Sequence, residues 1–232
     1  MIDLTAEMAG LWTALGAAPS HRGRLIMFVS AVSGEGTSTV AREFSRLAAV
    51  RANRPIWLVD ADLMEQRQQV QVIQQPERFG RSGAVVAGSP DGSCFFAIRP
   101  PFVDENGQRI RPARLLTAQA FLGRRLYVTR FQHEAIKAGQ NAFVVKQGDY
   151  WSALAAHADV VIVDAPSLDR DDTALALAPF MDDIVLVVGE GADVDPPRHL
   201  TQQIQAAGGR LSGVVINRAT YRPPRALRRL LA

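Results

Sequence analysis

One segment near the N-terminus constrains the fold most strongly, because it combines a strand, a small-residue loop and a helix start. The apolar run 25–29 predicts the strand, Gly34 and Gly36 lie in the loop, and a helical pattern begins at Thr37. Such a connection directs backbone N–H groups and the positive end of a helix towards a phosphate. The segment predicts a phosphate-binding loop before a helix over 37–52. An ordinary turn built from Gly and Ser is the alternative.

Further short apolar runs recur at 56–59, 160–163, 184–188 and 214–216, separated by stretches with helical spacing. Continuous runs of β-branched residues are typical of strands that are buried on both faces of a parallel sheet. One helical stretch, 197–207, ends at Gly208 and Gly209, as helices commonly do. The pattern predicts an α/β fold of the P-loop NTPase type, with a mostly parallel sheet, flanking helices and a ligand at the carboxyl ends of the strands.

The chain of 232 residues suits one α/β domain over 1–232. The segment 64–120 is irregular, rich first in Gln and then in Gly, Ser and Pro, and is interpreted as an insertion. Within it, 94–98 facing 108–111 across Asn106-Gly107 predicts a hairpin at a sheet edge. The basic tail 221–232 is either a frayed terminus or a short amphipathic segment on anionic lipid.

Composition bears on the compartment. The single cysteine, Cys94, excludes an internal disulfide and a cysteine-based zinc site, which favours a reducing environment. The N-terminus lacks the pattern of a signal peptide, and no apolar run reaches the roughly 20 residues that span a bilayer. The expected location is the cytoplasm, with any association at the inner membrane peripheral and through a partner.

Carboxylates follow two of the predicted strands. Asp60 and Asp62 follow the run 56–59, and Asp164 follows 160–163. Carboxylates at strand ends beside a phosphate loop are suited to hold a hydrated Mg²⁺ and to orient an attacking group. Each aspartate taken singly is more commonly a cap or turn residue. Three aspartates at corresponding ends of the predicted strands favour a functional site over caps or turns.

The motifs Ser33–Thr39, Val59–Leu63 and Val163–Pro166 resemble the Walker A, A′ and B motifs of bacterial tyrosine kinases. These kinases are the cytoplasmic modules of polysaccharide co-polymerases and belong to the MinD/ParA-like P-loop superfamily. The similarity continues through 172–174, 183–188 and 213–218, and leaves out the middle segment.

The resemblance implies a set of site residues and two cofactors, ATP or ADP and Mg²⁺. Asp60 would activate the attacking hydroxyl, and Asn217 would contact adenine unless it is only a strand-end turn residue. Ser38 and either Asp62 or Asp164 would hold the metal. The implied nucleotide-binding loop residues are Gly34, Glu35, Gly36, Thr37, Ser38 and Thr39.

The sequence departs from the family pattern at the positions that matter most for catalysis. Thr37 stands at the position of the loop lysine, Ala31 replaces the first glycine, and Val32 does not supply the second lysine of partition and division ATPases. The family's C-terminal tyrosine cluster and its N-terminal Glu-x-x-Arg-x-x-Arg oligomerisation pattern are absent. Because charge stabilisation carries most of phosphoryl transfer, we expect weak or no ATP hydrolysis.

Three hypotheses follow. In the first, the chain is a degenerate kinase-like protein that regulates or scaffolds exopolysaccharide or capsule synthesis and export. Its partner would be a membrane co-polymerase, an export component or another copy of itself, and no nucleic acid is expected. In the second, it is an active ATPase or tyrosine autokinase in which Lys137, Lys146 or an arginine such as Arg42 replaces the lysine. In the third, it is a ParA-like positioning ATPase, although no dense basic patch is evident outside the tail.

Overall fold

A computed structural model describes residues 4–16, 21–101, 103 and 108–219, and all structural statements concern these residues. The helices are α1 (Thr5–Leu15), α2 (Thr37–Arg51), α3 (Gln68–Ile73), α4 (Pro76–Phe79), α5 (Asp149–His157), α6 (Thr173–Leu177) and α7 (Asp195–Ala206). The strands are β1 (Arg24–Val29), β2 (Ile56–Asp60), β3 (Val85–Ala87), β4 (Phe96–Arg99), β5 (Leu116–Phe121), β6 (Leu126–Phe131), β7 (Asn141–Val144), β8 (Val160–Asp164), β9 (Asp183–Gly189) and β10 (Leu211–Asn217).

Eight strands form one sheet in the order β10-β9-β1-β8-β2-β6-β5-β3. Neighbours from β10 to β6 are all parallel, whereas β5 pairs antiparallel with β6 and β3 antiparallel with β5. The predicted mostly parallel α/β fold is confirmed. The register aligns Phe28 of β1 and Asp60 of β2 with Asp164 of β8, so three strands end side by side.

The central strands are buried because helices cover both faces of the sheet. All residues of β1, β2 and β8 are buried. On one face Ile26 and Phe28 pack with α1 to α4, and the Phe28 and Phe44 rings lie 5.4 Å apart. On the other face Met27 and Val29 belong to a cluster that includes Trp151 of α5 and residues of α6 and α7. Burial on both faces explains the unbroken apolar runs of the sequence.

The middle segment 64–120 contributes strands to the eight-stranded sheet and to a separate two-stranded sheet formed by β4 and β7. It contains α3, α4, β3 and β4 and the first residues of β5, and β3 and β5 extend the main sheet. The predicted pairing of 94–98 with 108–111 is wrong, because β4 pairs antiparallel with β7. In this pairing Phe96 and Ile98 are buried in the core cluster, and the Phe96 and Phe131 rings lie 4.8 Å apart, whereas 108–111 offers mainly polar side chains. Residues 104–107, including the predicted Asn106-Gly107 turn, lie outside the described residues.

The two predicted helices occur where the sequence places them. The helix expected over 37–52 spans Thr37–Arg51, and the one expected over 197–207 spans Asp195–Ala206, with proline in its first turn. Within the described ranges, no helix is both long enough and apolar enough to cross a membrane. The tail 221–232 lies outside the described residues.

Candidate functional site

A cavity of about 380 Å³ opens at the carboxyl ends of β1, β8 and β2. Its floor is the loop between β1 and α2, and its walls include the strand-end carboxylates. The structure brings together eight of the predicted site residues as cavity lining: Gly34, Gly36, Thr37, Ser38, Thr39, Asp60, Asp62 and Asp164. Glu35 and Asn217 lie just behind this lining. The arrangement matches the rule that open α/β sheets bind ligands outside the carboxyl ends of their strands.

The loop backbone depends on two glycines. Gly34 and Gly36 have φ values of +86° and +92°, in the left-handed region that favours glycine. A Cβ atom on Gly36 would lie 2.1 Å from the Asn217 side-chain nitrogen, so no larger residue fits there without displacing Asn217. Gly36 precedes the first turn of α2, which has no side-chain cap. The first N–H groups of α2 are therefore suited to an anionic ligand.

Glu35 and Asn217 hold this loop in place. The buried Glu35 carboxylate accepts hydrogen bonds from the backbone N–H groups of Val32 and Gly189, both at 3.2 Å. The Asn217 amide nitrogen donates to the Glu35 carbonyl oxygen at 2.8 Å, and Arg218 donates to the Gly34 carbonyl oxygen at 2.7 Å. These contacts tie the loop to the ends of β9 and β10. The adenine contact of Asn217 remains a prediction.

Asp60 and Asp164 are both buried at neighbouring strand ends. The two oxygens of Asp60 accept backbone N–H groups of Asp62 at 3.2 Å and Gln68 at 3.0 Å. Asp164 accepts the Gln68 side-chain amide at 2.7 Å through Oδ2, whereas its Oδ1 is buried without a partner among the described residues. Burial raises the pKa of Asp60 well above its usual range, and the charge of Asp164 adds to this shift. Burial also raises the pKa of Asp164 to about 6, against hydrogen bonds from Gln68 and Ser38.

Gln68 is a site residue that the sequence reasoning missed. Besides its bonds to Asp60 and Asp164, its side-chain nitrogen donates to the Ser38 carbonyl oxygen at 2.8 Å, and its oxygen accepts Arg42 at 3.0 Å. One glutamine at the start of α3 thus connects the phosphate loop to both buried carboxylates. Its position in a Gln-rich stretch gave no signal of this role.

At the position of the loop lysine of the tyrosine kinases that the sequence resembles, the side chain is mostly buried. Thr37 is 7% exposed, and its hydroxyl is buried without a hydrogen-bond partner among the described residues. The three substitutes suggested by the sequence, Lys137, Lys146 and Arg42, do not belong to the cavity lining. The basic residues that do line it are Arg67, Arg170 and Arg218. Sequence reasoning gave them no role, because Arg67 and Arg170 follow the motifs and Arg218 only ends the similar stretch 213–218.

The residues present fit Mg²⁺ only in part. Among the described residues, no group of three or more His, Cys, Asp or Glu side chains is arranged to hold a metal ion. Mg²⁺ in phosphate sites keeps several waters and needs only one or two protein ligands. Ser38 and the unpaired Asp164 oxygen, which lie in the lining of the same cavity, meet that need. Asp62 does not, because Arg170 pairs with its Oδ2 at 2.8 Å and its Oδ1 accepts two backbone N–H groups.

Comparison with known proteins identifies the fold through structure alone. No protein-family profile and no curated protein sequence matches this chain. The kinase domain of the Escherichia coli tyrosine kinase ETK is similar at 14% identity and a TM-score of 0.57, over 94% of this chain and 74% of that one. The chimerical protein CapA2B2 is 18% identical, with a TM-score of 0.58 over 93% and 85% of the two chains. A nucleotide-binding protein from Archaeoglobus fulgidus in complex with ADP is 16% identical, with a TM-score of 0.53 over 87% and 69%. The predicted likeness to tyrosine kinase domains of the P-loop superfamily is thereby confirmed for the fold.

Proposed function

We propose that this chain binds ATP or ADP weakly and acts as a kinase-like regulatory or scaffolding component of bacterial exopolysaccharide or capsule synthesis and export. The observation that carries the proposal is the cavity itself. It combines a glycine-shaped phosphate loop and strand-end carboxylates with a buried threonine at the position of the loop lysine. This combination favours retained binding and reduced catalysis.

Nucleotide binding is supported by the backbone of the loop. The uncapped start of α2 and the left-handed glycines leave N–H groups for phosphate oxygens, and the helix dipole favours the same anion. Ser38 and Asp164 would hold Mg²⁺, which neutralises phosphate charge when bound. Without a lysine, the site loses one charge-assisted contact, which contributes about 1.5–3 kcal/mol.

Catalysis should be weaker than binding for two reasons. Thr37 offers no cation to the transferring phosphoryl group, where charge stabilisation matters most. Asp60, the proposed activating residue, is buried, and burial raises its pKa, which disfavours the ionised form that would accept a proton from a hydroxyl. The geometry therefore supports a binding role more strongly than phosphoryl transfer.

The proposed role in polysaccharide synthesis and export is based on the family resemblance rather than on the geometry of the site. On that basis the proposed partner is a membrane polysaccharide co-polymerase or an export component, with self-association as a further possibility. The protein would then be cytoplasmic and peripheral at the inner membrane through that partner. We propose no nucleic-acid partner.

Incubation of the purified chain with Mg²⁺ and ATP should yield no phosphotyrosine and no ADP release above a blank without protein. Tyr150 is buried and donates to the Gly88 carbonyl oxygen at 3.2 Å, and Tyr127 stacks on Trp57 with ring centroids 5.0 Å apart. Tyr150 is therefore inaccessible to a kinase site, and Tyr127 is half-buried in a ring contact. Tyr221 lies outside the described residues. A phosphotyrosine signal that disappears in Asp60→Asn would contradict the proposed lack of activity.

A further inference from the structure

We propose that Arg170 is a phosphate-binding cation of this cavity and offsets part of the loss of the loop lysine. The inference rests on the nucleotide binding proposed above and adds the residue that would recognise the phosphates. Arg170 lies beyond the motif that ends β8 and lines the cavity.

The backbone fixes the position of Arg170 beside the phosphate loop. The segment after β8 runs along the loop that follows β1, with Leu168 N–H donating to the Ser30 carbonyl at 3.1 Å and Asp169 N–H to the Ala31 carbonyl at 3.2 Å. The Asp169 carboxylate accepts the N–H of Ser33 in the loop at 3.0 Å. Arg170 is thus held on a stretch of chain that is bonded to the loop in three places.

The Arg170 side chain is already engaged with anions at the rim of the cavity. Its NH1 lies 2.8 Å from Asp62 Oδ2, and its NH2 lies 3.5 Å from Glu65 Oε1. The side chain is 34% exposed and the Glu65 side chain 41%, so solvent weakens at least the second pair. A phosphate group carries more charge and matches the two-pronged guanidinium, so it can compete for Arg170.

The other arginines near the cavity are less suited to this role. Arg67 is 73% exposed and pairs with Glu65 at 2.7 Å, so its charge is largely screened by water. Arg218 donates to the Gly34 carbonyl oxygen and thereby supports the loop. Arg42 is buried against Gln68 and does not line the cavity. Arg170 combines partial burial, a place in the lining and partners that a phosphate can replace.

Transfer of Arg170 from Asp62 to a phosphate would also change whether Asp62 can act as a ligand of Mg²⁺. Asp62 Oδ2 is engaged by Arg170 in the structure, which explains why Asp62 does not fit the predicted Mg²⁺ set. Once Arg170 binds phosphate, that oxygen becomes available beside the cavity. Arg170 would thus link phosphate recognition to the availability of Asp62.

The test is an NMR titration of the full chain with Mg²⁺ and ATP, and separately with adenosine, for Arg170→Ala. ATP should bind about tenfold more weakly, as expected for one lost charge-assisted contact, and adenosine affinity should not change. Arg130→Ala is the matched control. It also removes an arginine from an ion pair, since Arg130 lies 2.7 Å from Glu134, but Arg130 does not line the cavity. It should bind ATP as the wild type does.

A second pair of variants keeps Arg170 in place. Glu65→Gln removes a competing carboxylate and should tighten ATP binding, whereas Glu134→Gln, which removes the same charge from the control pair, should not. If the wild type binds ATP and neither Arg170→Ala nor Glu65→Gln differs from its control, the role of Arg170 is refuted and the proposed function stands. If the wild type shows no ATP binding at all, both the proposed function and the role of Arg170 are refuted.

Discussion

Replacement of Thr37 by lysine is expected to tighten ATP binding by about tenfold or more, since a charge-assisted contact contributes about 1.5–3 kcal/mol. Thr37 is the first residue of α2, lines the cavity and uses its buried hydroxyl for no hydrogen bond among the described residues. The substitution therefore breaks no described side-chain bond. The lysine would bring three donors to the phosphates at the positive end of the helix. Three carboxylates that line the same cavity, Asp60, Asp62 and Asp164, favour a new cation there even without ligand.

Isothermal calorimetry measures the affinity, and the melting temperature in saturating ATP checks it, because a ligand that binds only the folded state stabilises that state. Val50→Lys is the matched control, since Val50 is 70% exposed near the other end of α2 and gains the same charge. It should leave ATP binding unchanged. A Thr37→Lys protein that folds normally and binds ATP no better than Val50→Lys would show that the cavity does not place phosphate at the start of α2.

Asp164→Asn is expected to stabilise the ligand-free protein by about 1–3 kcal/mol at pH 7.5, because it removes a buried carboxylate whose ionisation is disfavoured. The asparagine keeps an oxygen acceptor for Gln68, which bonds Asp164 at 2.7 Å. It also ends the charge repulsion that raises the pKa of Asp60. In a domain of this size the melting temperature should rise by about 2–12 °C.

The pH dependence of this effect has a definite sign. Burial raises the folded-state pKa of Asp164 to about 6, above its ordinary value of 3.8, so the folded state binds more protons between these values. The contribution of Asp164 to stability is then fully present below about pH 4 and is lost as the pH rises through 6. The stability difference between Asp164→Asn and the wild type should therefore grow between pH 4 and 6 and remain constant above.

Asp159→Asn provides a control of opposite sign. Burial opposes the ionisation of Asp159, but hydrogen bonds from the Arg54 and Asn53 backbone and the Arg54 side chain outweigh it and lower its pKa. Its removal should destabilise the protein at neutral pH and have less effect in acid. Thermal melts of the three proteins across this pH range give the comparison. If Asp164→Asn were destabilising at pH 7.5, the buried carboxylate would stabilise the folded protein, and the raised pKa assigned to Asp164 would be wrong.

The central fold and the location of the cavity could be predicted from the sequence because both depend on local patterns. Strands buried on both faces produce unbroken apolar runs, and β1, β2 and β8 show them. In a parallel sheet the residues that end such runs lie at one edge, which is why Asp60 and Asp164 are neighbours. Glycine at 34 and 36 likewise reflects a local demand of the backbone.

The remaining features depend on contacts between distant parts of the chain. The pairing of β4 with β7 accompanies the burial of Phe96 and Ile98 in the core cluster, and no turn signal near β4 reveals it. Gln68 gains its role only because α3 packs beside the loop, and sequence spacing does not show which residue then reaches Asp164. The engagement of Asp62 by Arg170 is a side-chain arrangement between two loops, for which neither motif carries a pattern.

Calorimetric titration of the unmodified chain with ATP, with and without Mg²⁺, tests the central claim most directly. The account predicts saturable binding of one ATP, weaker than about 10 µM, and stronger with Mg²⁺ than without it. The cavity that would hold the ligand has the loop backbone and Ser38 but no lysine. Submicromolar affinity would contradict the claim that the missing lysine weakens this site. No saturable heat at millimolar ATP would contradict the claim that the cavity is a nucleotide site at all.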